Sequence, residues 1–465
     1  MLKKTRLVQA VVSGGLACAV VPAVAQDAAT GMRVILGVDQ EFEAGDNLAL
    51  ENPEEGSTAL STTTLSLNIL SETSTQSLAF GVAGKLRFGE IPSGSDISTG
   101  FVEPSVNLSY AREGANARLS VTGSYRETDA AFFEPLSSFA DETGQIVLPS
   151  NFEDQRNTGT RQVYDFSTQF ETGIDSPLGF VFDASVGGVT YSDGAGATND
   201  DSYRYAYGIE SRLRLSPVST AFVGYDFSHY EAEDIADTER DTDVVEVGIV
   251  QQLSERASLE AAIGYSETDE EEFGITNKED GLTGRVVYDL EMPNGSLNTS
   301  YRVTRDQNGA RQFVRVGRAL DLPLGALSFN IGATQKESGD PKLIGGINWQ
   351  RDLPTGRITL SATRDVSINE DDDERITTTA NFGYVYEINA VSSLGFDASF
   401  GLSEDEATSN DTRRTDLTAS YNYALTPDWS LRTGVAYRVR DEDLIGTSDS
   451  TSVFVRIGRD FSLFR

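Results

Sequence analysis

Long stretches of this sequence alternate strictly between apolar and polar side chains, and that pattern limits the chain to very few folds. In residues 203–215 the odd positions are tyrosine, isoleucine, leucine and one serine, whereas the even positions include three arginines and a glutamate. Successive side chains of a β-strand point to opposite faces, so this stretch makes one apolar and one charged face. At helical spacing the arginines would surround the cylinder. The pattern therefore predicts a strand.

The same alternation recurs along the whole chain, for example in residues 259–266, 297–304, 376–388 and 416–425. The runs are roughly 10–14 residues long, about twice the usual soluble strand and enough for a tilted strand to cross a bilayer. Apolar, small and aromatic side chains on one parity with polar ones on the other are typical of a transmembrane barrel. No later stretch of the chain is apolar for long enough to predict a membrane-spanning helix.

The connections between the runs are of two kinds. Short turns, several of them rich in proline and glycine, occur at residues 175–179, 216–219, 292–295, 322–325, 353–356 and 426–429. Longer acidic loops are predicted at residues 267–280, 369–375, 403–412 and 441–450. Short turns at one rim and long loops at the other match the periplasmic and extracellular ends of an outer-membrane barrel.

The predicted fold is all-β, a transmembrane antiparallel up-and-down β-barrel with long acidic extracellular loops and short periplasmic turns. Counting hairpins from Met32 gives about 22 strands, uncertain by about two, with both termini on the short-turn side. The least regular regions are residues 44–60 and 127–160. We expect residues 26–465 to form a single barrel domain, because no composition break divides them.

The first 25 residues are predicted to be a secretory signal peptide. Lys3, Lys4 and Arg6 precede an apolar stretch at 7–21, and the small residues 23–25 form a cleavage site before residue 26. Cys18 would serve in a lipoprotein signal, but Gly15 stands where the usual lipobox has an apolar residue. Since Cys18 is the only cysteine, disulfides and cysteine-based metal sites are not expected in the mature chain.

Charge excludes one class of partner. The sequence has 37 basic and 72 acidic residues, a net charge of −35. Nucleic-acid binding requires the opposite sign, because it depends on neutralising phosphates. No cofactor is expected.

The last strand carries the most specific local motif. Residues 456–463 place Gly458 two positions after Arg456, followed by the apolar pair Phe461 and Leu463. This motif resembles the C-terminal signal of outer-membrane barrels, which implies recognition by the barrel-assembly machinery. The mature chain as a whole resembles porin-like outer-membrane barrels of Gram-negative bacteria. That resemblance implies contact with outer-membrane lipids and lipopolysaccharide.

If the apolar parity faces lipid, the polar parity lines the lumen. The charged residues predicted to line the pore are Arg118, Arg204, Arg212, Arg214, Arg285, Arg302, Arg315, Arg432, Arg438, Arg440, Arg456, Glu210, Asp226 and Asp289. An inward charge on a wide barrel sits in water, whereas a lipid-facing charge at mid-depth costs about 2–4 kcal/mol. The alternatives are a hydrated, salt-bridged wall and a wall whose arginine cluster near the C-terminus guides anionic solutes.

Two further regions carry hypotheses. The acidic runs at 269–272 and 370–374 either form a solvated rim or hold divalent cations that bridge loops or lipopolysaccharide.

The long connector at 127–160 is unusually apolar, with Phe132, Phe133, Phe139 and Phe152. We expect it to constrict a lumen too wide to be filled by wall side chains. A surface cap or an extra hairpin are the alternatives.

An enzyme is not expected. The only histidine, His229, falls on the apolar parity, which favours an interface position near an aromatic girdle. Neighbouring Asp226 lies off that face, and Glu231 is expected in the following loop.

The function expected from these features is passive, weakly selective diffusion of small hydrophilic solutes through an outer-membrane channel. An export conduit for a polysaccharide is the first alternative, and a structural or adhesive barrel acting through its acidic loops is the second. An energised, plugged transporter is disfavoured, because only residues 26–30 precede the first predicted strand.

Overall fold

The computed structural model describes residues 31–464 apart from 55, 94, 96, 131–133, 142, 151, 154–158, 193–199, 338, 369–373, 406–410 and 444. The predicted signal peptide and Cys18 therefore lie outside the described residues, as do Phe132, Phe133 and most of the acidic run at 370–374.

The described chain contains 22 strands and one 3-10 helix. The strands are β1 Gly31–Asp46, β2 Ser57–Glu72, β3 Gln76–Glu90, β4 Gly100–Glu113, β5 Ala117–Asp129, β6 Thr160–Thr172, β7 Leu178–Ser192, β8 Ser202–Ser216, β9 Ser219–Ala232, β10 Thr238–Ser254, β11 Ala257–Glu272, β12 Ile275–Met292, β13 Gly295–Asp306, β14 Gly309–Leu322, β15 Gly325–Lys336, β16 Lys342–Leu353, β17 Gly356–Ile368, β18 Glu374–Asn389, β19 Ser392–Asp405, β20 Asp411–Ala424, β21 Trp429–Glu442 and β22 Gly446–Phe464. The 3-10 helix, Leu136–Phe139, lies between β5 and β6. In the described part of the chain, no helix is both long and apolar enough to cross a membrane.

Each strand pairs antiparallel with its neighbours in sequence, and β1 pairs with β22 to close the sheet. In the closing ladder Val38 lies opposite Arg459 and Phe42 lies opposite Val455. Closure removes the unpaired edges that an open sheet would expose. The predicted all-β fold and its count of 22 strands are confirmed.

Glycine is required where several short turns return the chain to the sheet. Gly325 and Gly356 begin β15 and β17 with φ of 150° and 155°, a region that favours glycine. A Cβ on Gly325 would overlap the carbonyl oxygen of Gln350, and one on Gly356 would overlap that of Val385. These positions therefore let neighbouring strands approach closely at the short-turn end.

The loops predicted at 267–280 and 441–450 are wrong in extent, because strand pairing continues into both. In the second, the ladder between β21 and β22 reaches Glu442 opposite Gly446. The first is mostly a hairpin. The ladder between β11 and β12 continues through Glu267 opposite Asp280 and Glu272 opposite Ile275, so only Phe273 and Gly274 form the turn. Charged side chains occupy both faces of this extension, which removes the apolar parity that marks a membrane strand. The backbone hydrogen bonds do not depend on that parity, so the hairpin extends.

The apolar parity forms the outer surface of the barrel. On β8, for example, Tyr207, Ile209 and Leu213 are 47%, 41% and 47% exposed. The one buried apolar cluster in the described chain is elsewhere, in the connection between β5 and β6, and comprises Leu136, Ile146, Leu148 and Phe152 with Phe139 and Ala140 packed against them.

Candidate functional site

The connection between β5 and β6 contains a segment, residues 134–153, that contacts strands on the opposite side of the barrel. We call it the inserted segment. Many of its hydrogen-bond partners lie on β16 to β21, far around the barrel from β5 and β6. Nearer the connection itself, Arg161 of β6 donates to Ser150 Oγ at 3.2 Å and Arg126 of β5 pairs with Glu134. The contacted wall residues have the polar parity, opposite to the apolar outer face. A segment that contacts this face of distant strands must lie within the barrel, so the described structure places it against the inner wall.

Carbonyl groups of the inserted segment accept hydrogen bonds from a row of wall side chains. Ser361 Oγ and Asn381 Nδ2 donate to the carbonyl oxygen of Gly144, at 2.6 and 3.0 Å. Thr379 Oγ1 donates to the carbonyl oxygen of Ile146 at 3.1 Å. These bonds satisfy backbone groups that have no sheet partner, which fixes the segment to the wall.

Charged groups hold both ends of the inserted segment. At one end the backbone N–H of Leu136 donates to Asp416 Oδ2 at 2.6 Å, and Asp416 also pairs with Arg414 at 2.9 Å. At the other end Arg375 bonds Glu153 Oε2 at 2.9 Å and the carbonyl oxygen of Pro149 at 2.8 Å.

Further contacts join Glu153 to the wall. Ser403 donates to its carboxylate, and Arg440 donates to its carbonyl oxygen at 2.8 Å. Arg375, Arg414 and Arg440 are only 2%, 1% and 1% exposed. Buried cations of this kind require hydrogen-bonded partners, and the inserted segment supplies several of them.

The apolar cluster of the inserted segment rests on a glycine in the wall. A Cβ on Gly401 of β19 would lie 2.8 Å from Leu148 Cδ2 and 3.3 Å from Phe152 Cζ. The absent side chain leaves the space that these two residues fill. Burial of the cluster adds to the polar contacts, since fully burying a Leu or Phe side chain stabilises by about 1.5–3 kcal/mol.

The first long loop also covers part of the wall. Leu48 and Leu50 are fully buried, and Ser450 Oγ of β22 donates to the carbonyl oxygen of Asp46 at 2.7 Å. Asn47 Nδ2 donates to the carbonyl oxygen of Asp449 at 3.2 Å. This contact explains why residues 44–60 lack the alternation of a simple hairpin.

The inner wall from β6 to β13 is different, because several of its charged side chains remain exposed. Arg204 pairs with Asp165 at 2.9 Å, with side-chain exposures of 66% and 49%. Arg212 pairs with Glu171 at 2.8 Å and is 44% exposed. We call β6–β13 the exposed wall and β16–β21 the covered wall.

Most of the predicted pore-lining residues lie on the polar parity in exposed or half-buried positions. Arg285 contacts Glu246 and Glu260, both at 2.5 Å. Arg315 contacts Asp365 at 2.5 Å. Asp289 accepts a hydrogen bond from Asn298 at 2.7 Å.

Among the remaining residues of that set, Arg118 pairs with Glu113 and Glu171, Glu210 pairs with Arg212, and Arg456 pairs with Asp39. Arg214 donates to the turn carbonyl of Ile174, and Arg432 lies over the ring of Phe454. Asp226 and Arg302 are exposed.

Arg438 and Arg440 are exceptions, at 7% and 1% exposed. Arg438 pairs with Glu43, and Arg440 pairs with Glu442 and binds the inserted segment. The physical consequence is that this part of the arginine cluster is neutralised and covered, so it does not face open lumen.

A cavity of about 240 Å³ lies where the inserted segment meets β13–β16. Its lining is uncharged over most of its area and includes Gln145 of the segment with Asn298, Asn330 and Asn348 of the wall. The inserted segment therefore adjoins open space on this side.

Sequence reasoning located the apolar connector but not its partners. Arg375, Thr379, Asn381 and Gly401 are more than two hundred residues away from it in sequence, and nothing in their local pattern distinguishes them from other wall residues. Only the pairing of the whole barrel brings them to the segment.

Comparisons with known proteins identify the fold. No protein-family model matches the sequence, and no curated protein matches it. Among solved structures, the FrpB iron transporter from Neisseria meningitidis has a TM-score of 0.54 at 8% identity, covering 92% of this chain and 82% of that one. The ferric-catecholate import receptor Fiu from E. coli K12 has a TM-score of 0.55 at 11% identity, covering 91% and 81%.

The siderophore receptor PirA from Acinetobacter baumannii is also similar, with a TM-score of 0.53 at 8% identity, covering 94% of this chain and 81% of that one. At these identities the similarity concerns the fold alone. The proteins are transporters and receptors, so the expected likeness to porins in particular is not what the comparisons found. This chain has the fold of an outer-membrane β-barrel.

Proposed function

We propose that this protein is an outer-membrane channel of a Gram-negative bacterium that passes small hydrophilic solutes with weak selectivity. The observation that carries the proposal is the exposed wall, where ion pairs such as Arg204–Asp165 remain open on the inner face of a closed barrel. Exposed charges of this kind require water, because the same charges would be costly in an apolar interior.

Weak selectivity follows from the arrangement of charge. Arg212 lies between Glu171 and Glu210, and Arg285 lies between Glu246 and Glu260, so each arginine is paired with carboxylates and each group keeps only one excess negative charge. A solute that passes such a wall meets paired charges and water, so the wall has no strong preference for one sign of charge. The cavity lining beside Gln145 presents several amides and a single charged residue, Arg318.

The inserted segment is the proposed constriction. It covers β16–β21 and leaves the exposed wall facing the remaining space, so it reduces the cross-section through which solutes pass. Its polar and apolar contacts keep it at the wall, which favours a permanently narrowed channel over an occluded one.

Planar-bilayer recording of the purified, refolded chain tests the proposal. We expect ohmic single-channel current with modest ion selectivity. Detergent buffer without protein and a chain unfolded before addition are the controls. Absence of current from correctly folded protein would contradict the channel.

Uptake of an iron chelate is a second candidate, favoured by the likeness to an iron transporter and to siderophore receptors. It predicts saturable binding of a ferric catecholate, measured by quenching of intrinsic fluorescence, together with closed behaviour in the bilayer. Binding without current would favour this candidate over passive diffusion.

A further inference from the structure

Aromatic side chains cover the outer surface of β8 and β9 near their long-loop ends. Tyr207 and Phe227 stack with ring centroids 5.1 Å apart, and Tyr205 lies 4.9 Å from the ring of His229. His229 is the only histidine of the chain. Its imidazole is therefore held in place by an aromatic neighbour at the border of the apolar surface.

Pairing between β9 and β10 surrounds His229 with carboxylates. His229 lies directly opposite Asp241, and Glu231 lies opposite Glu239. Residues two apart on a strand share a face, and opposed residues have Cβ atoms about 4.5–5.5 Å apart. These four residues thus form a cross-strand square on the outer face.

The side chains converge within the square. His229 Nδ1 lies 2.7 Å from Asp241 Oδ1, and His229 Nε2 lies 3.9 Å from Glu231 Oε2. Ligand atoms of His229, Glu239 and Asp241 all lie within 4.8 Å of one another. The imidazole is 12% exposed, whereas the Asp241 side chain is 46% exposed, so the group is anchored on one side and open on the other.

We propose that His229, Asp241 and Glu239 form a binding site for a divalent transition-metal ion such as Zn²⁺. An imidazole nitrogen with two carboxylates is a ligand set suited to Zn²⁺ and similar ions, whereas Ca²⁺ takes six to eight oxygen ligands. Bonds of about 2.0–2.2 Å to each ligand need only small side-chain shifts within the observed spacing. The remaining coordination positions open outward.

Neighbouring contacts stiffen the site. Tyr225 donates a hydrogen bond to Asp243 at 2.6 Å, next to the square on the same face. The Tyr205 ring restricts the orientation of the imidazole. A contact that fixes the orientation of a metal ligand, as the Tyr205 ring does for His229, raises affinity. Bringing a divalent cation to this square also relieves repulsion among its carboxylates.

The test is Co²⁺ binding to the full chain, refolded in detergent and freed of metal with a chelator. We expect one Co²⁺ per chain, with visible d–d absorption, displaced by Zn²⁺. The variant His229→Ala should lose the absorption and bind more than about tenfold more weakly. A second variant, Asp241→Asn, keeps the size of the side chain and should weaken binding in the same direction.

The control variant is Asp280→Asn, a carboxylate that accepts a hydrogen bond from Tyr265 at the same end of the barrel but has no histidine beside it. It should bind Co²⁺ like the unmodified protein. Heat-modifiable migration on gels verifies that each variant is folded. Absence of binding by the folded protein, or equal binding by His229→Ala, would overturn the site and assign any cation uptake to acidic groups in general.

Discussion

Two parts of one inner wall carry the same alternating pattern but face different surroundings. On the covered wall, Arg375 and Arg414 are nearly fully buried and bind the inserted segment or wall groups beneath it. On the exposed wall, Arg204 and Arg212 pair with carboxylates yet keep about half of their side-chain surface open. Parity therefore decides which face a side chain occupies, and a distant segment decides whether that face meets protein or water.

This difference has an energetic consequence. Removing one partner of a buried ion pair costs about 3–5 kcal/mol, because a charge is left uncompensated. Removing one partner of an exposed pair costs about 0–1 kcal/mol, because water replaces it. The covered wall should thus determine where the inserted segment sits, and the exposed wall should determine what passes.

The largest effect is expected from removing the inserted segment. Replacing residues 134–153 with a short glycine-serine linker should raise single-channel conductance severalfold, because the cross-section of the lumen increases. The matched control replaces residues 233–237, the connection between β9 and β10, and should leave conductance unchanged. Equal conductance of the deletion and the unmodified chain would contradict the constriction.

Arg375→Met should release one end of the inserted segment, at a cost of about 3–5 kcal/mol to its docking. The expected result is faster hydrogen exchange in residues 134–153, since Glu153 and Pro149 lose their partner. Arg204→Met on the exposed wall is the control and should change exchange in this segment little. Similar hydrogen exchange in the two variants would contradict the claim that the covered wall, and not the exposed wall, holds the inserted segment.

Gly401→Val should have a smaller effect on the same docking. Its side chain would collide with Leu148 and Phe152, and overpacking of this kind costs about 1–3 kcal/mol. Gly317→Val on β14 is the control, because a Cβ there meets its nearest neighbour at 3.5 Å and adjoins the cavity. Protease cleavage within 134–153 should increase only in Gly401→Val; equal cleavage would count against tight packing.

Arg302→Glu is expected to have the smallest effect, a modest shift of ion selectivity toward cations without loss of stability. Arg302 is exposed on the inner face of β13, so the reversed charge acts on passing ions. Lys278→Glu makes the same change on the outer face and serves as the control. Reversal potentials in a salt gradient measure both, and identical potentials would argue that Arg302 does not line the path.

The sequence alone predicts the barrel because an apolar outer face and a polar inner face impose a two-residue period on a strand. Prediction of strands from the sequence fails where the two faces of a strand meet the same surroundings, because alternation is then not required. The hairpin at 267–280 carries charged side chains on both faces, yet its ladder continues. An acidic loop was therefore predicted in place of a strand pair.

The contacts of the candidate sites were less predictable. The apolar character of the connector indicated that it is covered, but its partners on β16–β21 follow only from closure of all 22 strands. The same reason applies to His229, whose nearest partner in the folded chain, Asp241, depends on strand register. Phe139 and Phe152 do belong to the buried cluster, whereas Phe132 and Phe133 lie outside the described residues.

Cysteine accessibility would test the two-wall description most directly, since Cys18 is the only cysteine in the sequence and lies in the predicted signal peptide. Single variants Glu210→Cys, Ser399→Cys and Ile209→Cys would be treated with a membrane-impermeant thiol reagent in lipid vesicles. We expect rapid labelling of Glu210→Cys, slow labelling of Ser399→Cys that becomes rapid when residues 134–153 are removed, and no labelling of Ile209→Cys. Rapid labelling of Ser399→Cys with the segment intact, or of Ile209→Cys, would contradict the account.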